Sequence, residues 1–119
     1  GNYAVGEVDG NGNWQTILSN LDGINGFEVV ASIKGKLGSG RYALSHAIAL
    51  STFGGKASKN KIKVSSSFYG SFLNKLQFRW VGEMHNYELQ VRTRRHYGVN
   101  EKDGQPFKIK YNISRFFSE

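Results

Sequence analysis

Lys75-Leu76-Gln77-Phe78-Arg79-Trp80-Val81-Gly82 alternates apolar and polar residues, and after Glu83-Met84-His85 the run Asn86-Tyr87-Glu88-Leu89-Gln90-Val91-Arg92-Thr93 does so again. Leu76, Phe78 and Trp80 fall on one side of the first run, with Lys75, Gln77 and Arg79 on the other. In the second, Tyr87, Leu89 and Val91 oppose Glu88, Gln90 and Arg92. A period of two is that of a half-buried strand, whereas a helix needs apolar spacings of three and four. A third stretch repeats the pattern, with Phe107, Ile109, Tyr111 and Ile113 against Lys108, Lys110 and Asn112. Three such strands predict antiparallel sheet with one dry and one wet face. The first two form a hairpin whose registers must bring the two apolar sets onto one face, and one of those registers sets Arg79 opposite Glu88.

Upstream segments are more apolar. Phe27, Val29, Ala31 and Ile33 share one face of a strand over 27–34. Over 41–51, Tyr42, Leu44, His46, Ile48 and Leu50 share one face and Ala43, Ala47 and Ala49 the other. The small residues predict a close neighbour, either the second sheet or another subunit, and His46 reads as a hydrogen-bonded core residue. Ile62, Val64 and Phe68 mark a further strand, and 3–8 a first one. Trp14, Ile17, Leu18 and Leu21 are spaced three and four apart, which predicts a short helix near residues 14–21.

About eight strands in 119 residues give an all-β antiparallel sandwich or jelly roll, a single domain over 1–119. The expected core is Phe27, Val29, Leu44, Ile48, Phe78, Trp80, Leu89, Ile109 and Tyr111. Fifteen glycines against one proline mean that turns rely on the positive φ that glycine adopts freely. With 39% hydrophobic residues, the chain can bury a core, so disorder is not expected. Absence of cysteine excludes disulfides, zinc thiolates and a thiol nucleophile. No apolar run approaches the roughly 18 residues that span a bilayer, so membrane insertion is not expected. The opening Gly1-Asn2-Tyr3 reads as an excised piece of a longer protein.

Sixteen Lys and Arg against nine Asp and Glu give a formal charge of +7, which suits an anionic partner or keeps a β-domain soluble. The densest cationic cluster is Arg92, Arg94, Arg95 and His96 with adjoining Tyr97, and it is the candidate ligand site. Arginine's planar fork can hold a phosphate or carboxylate with two hydrogen bonds. Trp14, Tyr69, His85 and Tyr97 are candidates for a sugar-stacking platform. Nucleic acid is disfavoured, because the aromatics read as lying on the dry faces rather than among the basic residues. Asp9, Asn11 and Asn13 have alternating oxygens, but no glutamate closes a calcium loop. No metal, cofactor or catalytic constellation is expected.

The runs Tyr3-Ala4-Val5-Gly6-Glu7-Val8, Trp14-Gln15-Thr16-Ile17-Leu18, Gly40-Arg41-Tyr42-Ala43-Leu44 and Asn86-Tyr87-Glu88-Leu89-Gln90-Val91-Arg92-Thr93 carry a resemblance over nearly the whole chain. It resembles C-terminal tip domains of tail-fibre-like and adhesin-like proteins from phages and Bacteroidetes-type bacteria. The resemblance implies a β-sandwich on a fibrous, usually trimeric stalk, located on a virion or at the cell surface. It carries over no binding residues. The function expected is non-catalytic receptor binding or adhesion to a cell-surface glycan or protein, by a homo-oligomer, expected to be a trimer. The alternatives are a purely structural domain of a fibre or capsid, and a glycan-cleaving enzyme. The last is disfavoured because the nine acids are scattered rather than paired.

Overall fold

The computed structural model describes residues 2–119. Eight strands run in chain order: β1 (Ala4–Asp9), β2 (Gln15–Leu21), β3 (Ile24–Lys34), β4 (Tyr42–Thr52), β5 (Lys61–Phe68), β6 (Leu76–Glu83), β7 (Asn86–Thr93) and β8 (Lys108–Ser118). A 3-10 turn, Phe72–Asn74, precedes β6. The strands form two antiparallel sheets, ordered β1-β8-β3-β4-β5 and β2-β7-β6, and the chain is a β-sandwich. Among the described residues, no helix is long and apolar enough to cross a membrane.

Between the sheets lies one core. β3 contributes Phe27, Val29, Ala31 and Ile33, β7 contributes Tyr87, Leu89 and Val91, and β8 contributes Ile109 and Ile113. Phe78, Trp80 and Tyr111 pack on it half-buried. Trp80 sits between Phe27 and Tyr87, with ring centroids 6.5 and 5.5 Å away.

β4 corrects the expected faces. Ala43, Ala47 and Ala49 point into the core, while Leu44 and Leu50 are exposed and Ile48 is half-buried. In register, Ala49 lies beside Phe27, Ala47 beside Val29 and Ala43 beside Ile33, so the larger β3 side chains fill the volume that alanine leaves. The alanine row is therefore covered by the second sheet and offers no seat for another subunit. His46 is not a core residue either: it is exposed, with Nε2 2.9 Å from Glu28 Oε2.

The helix expected near 14–21 is strand β2. Its pairing with β7 shifts register between Thr16 and Leu18 and again between Leu18 and Leu21, and Asn20 takes a φ of 56°. A bulge turns adjacent residues to the same side, so Ile17, Leu18 and Leu21 are all buried at a spacing that imitates a helix. The β6–β7 hairpin keeps the expected faces, with Phe78 opposite Val91 and Trp80 opposite Leu89, but its register sets Arg79 opposite Gln90 rather than Glu88.

Candidate functional site

The outer face of the three-stranded sheet carries Thr16 from β2, Glu88, Gln90 and Arg92 from β7, and Gln77 and Arg79 from β6. Antiparallel register pairs Gln77 with Arg92 and Arg79 with Gln90, which makes the two arginines diagonal neighbours. Arg79 Nε donates to Gln90 Oε1 at 2.8 Å and Arg92 Nε donates to Gln77 Oε1 at 2.8 Å. Gln90 Nε2 donates in turn to Thr16 Oγ1 at 3.2 Å, and Thr16 Oγ1 donates to Glu88 Oε2 at 2.7 Å.

Trp14 closes the arrangement. The loop before β2 folds back on β7 because the Gly12 N–H donates to Thr93 Oγ1 at 3.1 Å and Asn11 bridges to His96. Asn11 Oδ1 accepts from the Asn13 N–H at 3.0 Å and from Gln15 Nε2 at 3.2 Å, tightening the turn. The indole then lies 4.3 Å from the Arg79 guanidinium carbon and 4.5 Å from that of Arg92, measured to the ring centroid. Each cation–π contact of this kind contributes about 0.5–1 kcal/mol at an exposed position.

Neutral partners fix these guanidiniums without cancelling their charge. Among the described residues, the ion pairs use Lys36, His46, His85 and Lys108, and none of the six arginines takes part. With Nε spent on an amide oxygen, the Nη donors are left for a carboxylate, sulfate or phosphate. A cleft of about 630 Å³ beside Lys34, Lys108 and Lys110 differs in kind. There Lys108 holds Asp9 and Lys110 lies opposite Glu7 in the β1–β8 register, so acidic residues share the cleft with its lysines.

Residues 92–97 do not converge on one site. Arg92 belongs to the face just described. Arg94 is exposed, its guanidinium carbon 5.2 Å from the Phe72 ring centroid. Arg95 turns to Asn74, whose Oδ1 accepts from Nε at 3.1 Å and Nη2 at 2.8 Å. Tyr97 is buried and its hydroxyl donates to the Asn74 carbonyl. Burial pushes the Tyr97 phenol up to about 12, although Arg95 and Arg41 pull the other way. His96 is exposed, and its Nδ1 accepts from the Gly98 N–H at 2.9 Å.

The chain matches no family model, no curated protein and no solved structure. Of the four residues expected to form a stacking platform, Trp14 joins the arginine face and Tyr97 is buried in the core. Tyr69 stands edge-on to Tyr42, and His85 Nδ1 lies 2.7 Å from Asp22 Oδ1 beside Phe53. The expectation that the aromatics all lie on dry faces fails at Trp14, which sits among cations on the wet one. The signal in the sequence was the mirrored pair Gln77-Phe78-Arg79 and Gln90-Val91-Arg92: run antiparallel, these make two cross-strand Gln–Arg pairs.

Proposed function

We propose that the chain is a non-catalytic recognition domain of a fibre-like or cell-surface protein, and that it binds an anionic surface glycan on the outer face of the three-stranded sheet. The observation that carries this reading is the indole of Trp14 against two guanidiniums held by glutamine oxygens and matched by no carboxylate. An acidic sugar presents the complementary set: a carboxylate or sulfate for the arginine forks, a ring face for the indole, and hydroxyls for Gln77, Gln90, Thr16 and Glu88. In this reading Glu88 accepts hydrogen bonds and moves no proton.

A glycan array probed with the domain tests the reading, with sulfated, uronic and sialylated glycans expected among the bound set. Arg79→Ser with Arg92→Ser should weaken binding by at least about tenfold, equivalent to roughly 1.4 kcal/mol. Loss of the two exposed cation–π contacts should cost about 1–2 kcal/mol together, so the variant melts lower but remains folded. Trp14→Ala should also weaken binding, and raised salt should weaken it further by screening. An array on which neutral glycans, or none, are bound overturns the proposal, as does a double variant that binds like the parent.

A further inference from the structure

The arginine face does not stop at Trp14. Arg94 follows Arg92 by two residues with buried Thr93 between them, so both leave on the outer side, about 6.6 Å apart along the chain. The register that pairs Leu76 with Thr93 brings Lys75 beside Arg94. Lys75 has extended backbone, with φ −67° and ψ 141°, and precedes Gln77 by two, so it too leaves on the outer side. The 3-10 turn then sets Phe72 against this pair. Its ring is 59% exposed, and the Arg94 guanidinium carbon stands 5.2 Å from the ring centroid. Ser71 Oγ holds the turn by accepting from the Leu73 N–H at 3.1 Å, and the Lys75 N–H donates to the Phe72 carbonyl at 3.1 Å.

The result is a repeat. Arg79 and Arg92 stand against the indole of Trp14, and the next outward residue after Arg92 stands against the ring of Phe72. Among the described residues, none of Lys75, Arg79, Arg92 and Arg94 takes part in an ion pair. The acids of this sheet, Glu83 and Glu88, lie toward the β6–β7 hairpin, at the end away from Arg94.

We infer that the ligand of this face, on the glycan reading above, is an internal stretch of a linear acidic polysaccharide, with one charged sugar at Trp14 and a later one at Phe72. A single acidic sugar at the tip of a branched glycan needs one cationic fork and one ring. Here fork and ring occur twice in line along an open strand face. The charge gradient gives the direction, from Arg92 toward Arg94 and away from Glu83 and Glu88. A second anion tethered to a bound first one engages intramolecularly, so even a weak contact at Arg94 adds to affinity. Single-stranded nucleic acid is the less fitting polyanion. Its binding rests on bases stacked against aromatic faces, and Trp14 is half-buried with two guanidiniums already against its ring.

Calorimetric titration of the chain with a sulfated, uronic-acid-containing disaccharide, and with the hexasaccharide of the same repeat, tests the inference. The parent is expected to bind the hexasaccharide about tenfold tighter or more, beyond the few-fold gain that extra registers alone give. Phe72→Ala with Arg94→Ser is expected to bind the disaccharide like the parent and to lose the gain with length. Both side chains are exposed; if the double variant fails to fold, Arg94→Ser alone provides the same comparison. Arg79→Ser with Arg92→Ser should weaken binding of both lengths. A parent that binds the two lengths alike overturns the inference and leaves the glycan reading standing, as does a folded Phe72, Arg94 variant that keeps the gain. A parent that binds neither length overturns both. A single-stranded oligonucleotide bound more tightly than the hexasaccharide overturns the sugar chain as the occupant.

Discussion

Asn74 ties more of this molecule together than its surroundings in the sequence indicate. It is buried, its Nδ2 donates to the carbonyls of Gly40 at 3.0 Å and Tyr69 at 2.7 Å, and its Oδ1 takes both bonds from Arg95. Asn74→Ala would strand two carbonyls and a guanidinium, and should cost about 2–4 kcal/mol, read as a lower urea midpoint at constant m-value. Tyr97, bonded to the same residue, gives a pH signature. Its folded pKa of about 12 lies above the ordinary 10.0, so the folded state holds its proton longer than the unfolded one. Its contribution is full below pH 10 and is lost as pH rises from 10 to 12. Absorbance titration should show one tyrosine ionising late, and Tyr97→Phe should remove that step and flatten the loss of stability across this window. Charge density at 92–97 was legible in the sequence, but density along a strand is not density in space. Successive side chains leave on opposite sides, so buried Thr93 stands between Arg92 and Arg94, and Arg95 is drawn inward by an acceptor distant in sequence.

Strands β6, β7 and β8 could be read directly because each has one apolar and one polar face, and period two then admits a single orientation. β2 could not, because two register shifts within seven residues replace its period with the spacing of a helix. β4 is apolar on both sides, so pattern alone leaves its orientation open and volume decides it. Alanine goes inward because Phe27, Val29 and Ile33 on the neighbouring strand already fill the gap between the sheets. The β6–β7 hairpin has its own constraint at Gly82, where φ is 123° and a Cβ would lie 2.6 Å from the Asn86 carbonyl oxygen and the Tyr87 Cα. Gly82→Ala adds backbone strain to overpacking and should destabilise by about 2–4 kcal/mol, measured by thermal or urea unfolding. An alanine variant as stable as the parent would mean that the hairpin relaxes away from this backbone.

At the scale of the molecule, the two outer faces differ in chemistry, one with unmatched arginines around an indole and the other with exposed Leu44 and Leu50 on β4 beside the Lys61 and Lys63 of β5. None of this division was visible in net charge, which sums over both faces. The pairing of β1 with β8 has a mechanical consequence as well. Ala4 lies opposite Ile113 and Asp9 opposite Lys108, so the start of β1 and the end of β8 leave the sandwich at the same end. Tension applied between Ala4 and its partner Ile113 loads the β1–β8 hydrogen bonds one after another, like a zipper, rather than all together in shear. The sandwich therefore yields to a weak pull across its two ends, and it resists far better when load enters through one end and leaves through a bound face.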